Sequence, residues 1–99
     1  MKQIMVQFNF NNVSTAQYDA AWGELAASGH PLPKELRIHI GGPKPDGGLS
    51  IITVWDSEEA FRAFGAMLMP VLAKHGFPMD TPPVVYPVHR LYERQPEMA

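Results

Sequence analysis

Four histidines are the only side chains in this 99-residue sequence whose ordinary pKa lies near neutrality. Proton transfer at physiological pH therefore starts with His30, His39, His75 or His89. His39 and His89 each sit in or beside an alternating apolar run, so a sheet can present them to a cavity. A neutral imidazole there takes a proton from a phenolic or enolic substrate. The ordinary alternative is a hydrogen-bonded histidine at an interface. His75 falls in the last turn of a helical segment, where a cation complements the negative dipole end. His30, between Gly29 and Pro31, reads as a solvent-facing connector residue.

Other chemistry is limited by what the sequence lacks. There is no cysteine, which removes disulfides, thiolate zinc sites and thiol nucleophiles. Two histidines with no assignable carboxylate fall short of a three-ligand metal set, so neither a metal nor a cofactor is expected. Ser14, Ser28, Ser50 and Ser57 lack the strand-turn-helix setting of a nucleophile elbow. Asp56, Glu58 and Glu59 resemble paired carboxylates but stand at a helix start, where capping is their ordinary role. The glycines of Gly41–Gly48 (GGPKPDGG) do not lead a strand into a helix, so they make no phosphate cradle. Lys44 and Asp46 in that run read as a solvated hairpin tip, or alternatively as a lid. Trp22, Trp55, Phe61 and Phe64 have the spacing of core packing; as a ligand-stacking box, Trp55 and Phe64 would line the site together with Tyr86. Met67 and Met69, next to Pro70, suit an adaptable pocket wall or an irregular core gap equally well.

The elements that must position these residues follow from periodicity. Ile4, Val6, Phe8 and Phe10 alternate with Met5, Gln7 and Asn9, which predicts a first strand over residues 3–10. Ser14 with Gln17 forms a capping-box pattern, Tyr18, Ala21, Trp22 and Leu25 follow helical spacing, and Gly29 ends the helix. Leu36, Ile38 and Ile40 alternate with Arg37 and His39 in a second strand, followed by the glycine-proline run read as loop. Residues 49–55 are strongly β-prone and apolar on both faces. Asp56 with Glu59 predicts a cap for a second helix, whose buried stripe is Phe61, Phe64, Leu68, Val71 and Leu72. Pro70 should kink or restart that helix. A last strand is predicted over residues 84–91, and Pro87 within it argues for a sheet edge.

The order β-α-β-β-α-β predicts an α+β, ferredoxin-like domain: a four-stranded antiparallel sheet with both helices on one face. One domain over residues 1–93 with a frayed tail at 94–99 suits the length. A net charge of −2 gives no basic footprint for nucleic acid. No window is apolar enough for a membrane span or a signal peptide, so a cytoplasmic protein is expected. The sheet face away from the helices is the unresolved part of the fold. Gln7, Asn9, Arg37 and His39 would lie on it; if Val84, Tyr86 and Val88 face the helices, so would Ile52, Val54, Val85, His89 and Leu91. That mixture is too apolar for exposure and too polar for a plain core. It predicts a homodimer that encloses a cavity for a small hydrophobic organic molecule.

The strand-to-helix stretch Thr53-Val54-Trp55-Asp56-Ser57-Glu58-Glu59-Ala60-Phe61 resembles the antibiotic-biosynthesis-monooxygenase-like members of the dimeric α+β barrel superfamily. Tyr18-Asp19, His39, Gly41, Pro70 and Pro87-Val88-His89 are similar to small stand-alone members. The resemblance implies a homodimer with back-to-back sheets and, in some members, cofactor-independent oxygenation of activated phenols. In that reading His39 or His89 is the base, while Asn9 and Arg37 hold the oxyanion. Heme-degrading members pair a first-strand Asn with a Trp in the second helix and a His near its end. This sequence has Asn9 and His75 but Phe64 in place of that Trp, which argues against heme. A non-catalytic binding dimer, or an isomerase or lyase of a small carbonyl compound, are the alternatives on the same fold.

Overall fold

The computed structural model describes residues 2–29 and 32–94; His30, and the tail beyond Arg94, lie outside the described residues. Six elements follow one another: β1 (Ile4–Phe10), α1 (Thr15–Ala27), β2 (Leu36–Pro43), β3 (Leu49–Trp55), α2 (Glu58–Lys74) and β4 (Val84–Pro87). The strands form one antiparallel sheet in the order β2-β3-β1-β4. This is the expected ferredoxin-like arrangement, and it sets Pro87 on an edge strand, where its missing N–H leaves no central ladder bond unmade.

Both helices begin with an identifiable cap. Ser14 Oγ accepts from the Gln17 N–H at 3.1 Å, and the Ser14 N–H donates to Gln17 Oε1 at 2.8 Å, completing the predicted capping box. At α2 the cap is Ser57, whose Oγ accepts from the Ala60 N–H at 3.1 Å. Asp56, expected to cap this helix, is instead turned to Arg37. The helix then runs through Pro70 as one element to Lys74, not as two.

The core lies between the sheet and the helices. Ile4, Val6, Phe8 and Phe10 of β1 point into it against Leu49, Ile51 and Trp55 of β3. Ala21 and Leu25 come from α1 and Phe64 and Leu72 from α2, while Tyr18, Trp22 and Phe61 pack at its margin. Burying each large apolar side chain contributes about 1.5–3 kcal/mol, which holds the two layers together.

Three strand expectations change. β2 continues through Gly41, Gly42 and Pro43, which pair with Ile51, Ser50 and Leu49, so only Lys44–Gly48 forms the turn. β4 is four residues long, with one further bond from the Val88 N–H to the Gln3 carbonyl. Most important, Leu36 pairs with Trp55 and Ile38 with Val54, leaving Arg37 as an unpaired bulge residue. A one-residue bulge reverses which face every later side chain occupies. His39 consequently stands opposite Thr53, on the helix side, while Ile38 and Ile40 move to the open face.

Candidate functional site

Pairing fixes the faces row by row, because directly opposed residues share a side of the sheet. On the helix side, His39, Thr53, Val6 and Val85 form one row across the four strands. On the open side, Ile38, Val54, Met5 and Tyr86 form one row, and Ile40, Ile52, Gln7 and Val84 the next. Val84 and Tyr86 are thus on the open face and Val85 on the helix side, opposite to the sequence expectation. Both faces of β4 are apolar and exposed, so hydrophobicity alone did not set its phase.

Between the sheet and the helices lies a cavity of about 50 Å³. Its walls are almost wholly apolar: Trp55, Phe61, Phe64 and Leu72 on one side, Phe8 and Ile51 below. Two polar groups break that surface at the α1 side. Tyr18 Oη and His39 Nε2 are 2.5 Å apart. The imidazole also stacks on the Tyr18 ring (centroids 5.9 Å apart, planes at 25°) and meets the Trp22 ring edge-on at 4.7 Å. The remaining polar wall group, Thr53, is occupied: its Oγ1 accepts the Trp55 indole N–H at 2.9 Å.

Local backbone chemistry makes the Tyr18–His39 contact possible. A Cβ on Gly41, which follows His39 by two residues on the same face, would meet Tyr18 Cζ and Oη at 3.0 Å. Only glycine lets the phenol lie flat against β2. Burial then sets the protonation of both partners. It lowers the His39 pKa below the usual 6.5, because the charged imidazolium is poorly solvated there. It raises the Tyr18 pKa, with a smaller push from the Asp19 carboxylate. At neutral pH both are uncharged, and they share one hydrogen bond whose donor is set by the imidazole tautomer. A donor and a basic nitrogen thus stand side by side at the wall of an apolar cavity.

No family model matches the chain, and no curated protein matches it. Solved structures do. A mutant of SnoaB, a cofactor-independent oxygenase from Streptomyces nogalater, aligns over 94% of this chain and 98% of its own, with a TM-score of 0.63 at 15% identity. A dimeric ferredoxin-like protein of unknown function from Thermobifida fusca aligns over 88% and 92%, with a TM-score of 0.59 at 17% identity. The fold these structures share with the chain is the ferredoxin-like one. A Deinococcus radiodurans protein provisionally named an antibiotic biosynthesis monooxygenase shares it as well, over 97% and 99% of the two chains, with a TM-score of 0.57 at 11% identity.

Within this ferredoxin-like chain, the structure brings together three of the seven site residues expected from sequence: His39, Trp55 and Phe64. The other four stand elsewhere. His89 is exposed beyond β4, in a surface depression with Lys2, Asp56 and Arg90, at the sheet edge opposite β2. His39 and His89 of one chain therefore do not share a pocket. Asn9 is exposed on the open face opposite Ser50. Tyr86 is on that face too, opposite Met5. Arg37 makes a two-pronged ion pair with Asp56, Nε to Oδ1 at 2.9 Å and Nη2 to Oδ2 at 2.7 Å, and Gln3 adds a bond to Oδ1 at 3.2 Å. The guanidinium holds the Asp56 carboxyl below its usual pKa, with help from the Gln3 amide. Its donors are directed at Asp56 and not toward the cavity. His75, assigned to the helix end, is the α2 C-cap and meets Glu24 Oε1 at 3.0 Å. Among the described residues, no group of three His, Asp or Glu side chains could hold a metal ion, and no helix is long and apolar enough to cross a membrane.

Sequence reasoning missed Tyr18 as a functional residue. It was read only as part of the helical stripe, although Tyr18-Asp19, His39 and Gly41 appear together in the family resemblance. The structure joins those three positions into one contact.

Proposed function

We propose that this protein binds a small, largely apolar phenol or enol between its sheet and helices, and oxygenates it without a cofactor. The observation that carries this reading is the neutral Tyr18–His39 pair at the wall of an otherwise apolar cavity. With its ring proton on Nε2, His39 donates to Tyr18 Oη, which leaves Nδ1 of the uncharged ring to accept the substrate proton and the Tyr18 hydroxyl free to donate to the oxygen on which negative charge develops. The resulting carbanion gives its electrons to dioxygen. For an activated methylene the reaction is CH2 + O2 → C=O + H2O, which balances with no other reductant. The similarity in fold to a cofactor-independent oxygenase supports this reading.

The working unit in this proposal is a homodimer. Ile40, Val84 and Tyr86 are 59%, 48% and 41% exposed on the open sheet face, large apolar side chains at both of its edges of the kind that a partner covers. Proteins of this fold named as dimeric support the assignment.

The test is oxygen uptake with anthrone in metal-free buffer, with anthraquinone as product. His39→Ala should abolish turnover and Tyr18→Phe should reduce it about 10- to 100-fold, the range of one oxyanion donor or general base. Equal turnover in His39→Ala refutes the assignment. A second reading is a non-catalytic binding module, favoured because no carboxylate among the described residues hydrogen-bonds the His39 ring. Saturable binding with the ligand recovered unchanged would establish it.

A further inference from the structure

A histidine base becomes an imidazolium when it takes a proton, and in an apolar wall the new charge needs a partner. In a Ser-His-Asp triad that partner is a carboxylate, which orients the ring and stabilises its charged form. His39 has no such neighbour. Among the described residues its one hydrogen-bonding partner is the Tyr18 hydroxyl, and no charged side chain lines the cavity from the sheet or from α2. On α1, the carboxylate of Asp19 acts on the Tyr18 phenol. On β2, Arg37 is turned to Asp56.

What meets the imidazole instead is Trp22. Tyr18 and Trp22 are four residues apart on α1 and so share one face of the helix; His39 lies against both. The Trp22 and His39 ring centroids are 4.7 Å apart, with planes at 79°. That is inside the roughly 6 Å over which a cation is attracted to an aromatic face, and indole is the strongest of the aromatic side chains in this respect. An aromatic face carries negative charge and a ring edge positive charge. Protonation adds positive charge to the imidazole edge, so the contact strengthens as the imidazolium forms. A carboxylate in the same place would hold His39 charged before any substrate arrived. The neutral indole has a smaller effect, and burial still keeps the resting ring uncharged.

We propose that Trp22 is a positioning residue for His39: it fixes the imidazole edge-on and supports the imidazolium through its π face, where a triad would use a carboxylate. This inference rests on His39 being the base in the reading above. Its first test needs no substrate.

That test follows the His39 Cε1–H signal by NMR between pH 4 and 8, identified by its loss in His39→Gln. Trp22→Leu should lower the His39 pKa by about 0.5 to 1, a roughly three- to tenfold loss of proton affinity, and Trp22→Phe should lower it by less. An indole that only shields the ring predicts the opposite sign, because water entering beside it favours the charged form. Protein grown on fluorotryptophan nearly keeps the shape while withdrawing charge from the ring face. There His39 should lose about twofold in proton affinity with the thermal midpoint held; Trp55, labelled as well, packs on Phe61 and Phe64. If Trp22→Leu does not fold, Trp22→Phe and the fluorinated protein carry the test. A His39 pKa that rises in Trp22→Leu, or stays within about 0.1 of wild type in every folded variant, overturns the proposal. Oxygen uptake with anthrone then separates it from the functional reading. In Trp22→Phe kcat should fall with KM within about twofold, and the acid limb of the kcat/KM profile should move to lower pH by the amount seen in the NMR titration. A limb that stays in place overturns the part played by Trp22 in the reaction. A wild type without oxygen uptake overturns the functional reading, and the titration still decides the contact.

Discussion

The contact between Tyr18 and His39 is testable by a double-mutant cycle of Tyr18→Phe, His39→Gln and their combination. Tyr18→Phe removes only the hydroxyl, so the ring keeps its place against Gly41 and its stacking on residue 39. The lost bond is a neutral hydroxyl-to-imidazole contact of 2.5 Å in a half-buried position. Such a bond contributes about 0.5–1.5 kcal/mol net, and leaving Nε2 without its partner adds a desolvation cost at the low end of about 1–3 kcal/mol because the ring is only partly buried. The expected destabilisation for Tyr18→Phe is therefore about 1.5–2.5 kcal/mol, a fall in thermal midpoint of roughly 6–20 °C for a domain of this size. His39→Gln should cost a similar amount. The double variant should fall short of the sum by about 1 kcal/mol, since the second substitution has no bond left to break. Urea titration at pH 7.5, where His39 is neutral, supplies the four free energies. Additivity within about 0.5 kcal/mol would show that the two side chains do not interact, and the base-and-donor argument would fall with it.

Three further outcomes follow from the same geometry. Because burial holds the His39 pKa below 6.5, the unfolded chain binds a proton more readily than the folded chain just below that pH; stability should fall as pH drops from 6.5 through the lowered folded value and stay level above it. His39→Gln should remove this slope, while the decline at lower pH, where Asp56 and Glu24 with their lowered pKa values become protonated, should remain; denaturant melts between pH 4 and 8 show both. Ile40→Lys places a charge on the β2 edge of the open sheet face, and sedimentation equilibrium should register a shift from dimer to the 11.0 kDa monomer; a wild type that is already monomeric at micromolar concentration would refute the dimer. Arg37→Gln should leave the KM for anthrone within about twofold, because the guanidinium is engaged by Asp56; a rise of about tenfold, the scale of a charged ligand contact, would return Arg37 to the site.

The sequence was informative wherever a local rule had no competitor. Ser14 with Gln17 has a single arrangement that satisfies both amides, and β1 alternates without interruption, so cap and strand were both legible. Pro87 was legible as an edge residue because a missing donor is tolerated at few other places. Asp56 and Ser57 were not separable in this way: either can cap α2, and the choice was made by Arg37, distant in sequence, which engages the carboxylate and leaves Ser57 to the helix. The face of His39 was lost to a similar non-local cause. Period-two reasoning from Leu36 puts it opposite the helices, and a single bulge at Arg37 reverses that. Nothing in Leu36-Arg37-Ile38-His39 marks a bulge, since its usual glycine is absent; pairing with β3 decides it. The cavity was half legible: Trp55 and Phe64 were nominated for it, whereas Tyr18 required knowing that α1 passes over Gly41.

The bulge in β2 also resolves a conflict of parity. Arg37 and His39 are two residues apart, and in an unbroken strand they would have to look the same way. The protein needs them to differ: the arginine as an exposed tie to the corner where β3 passes into α2, the histidine as a group turned toward the interior. The unpaired position makes these independent, so each requirement is met without compromising the other. It also means that the strand has slack. Deleting residue 37 would restore ordinary pairing from Leu36 to Ile38 and leave His39 aimed at the cavity, sacrificing the tie but not the site. Inserting one residue between Ile38 and His39 would do the reverse, keeping the tie and turning the imidazole away.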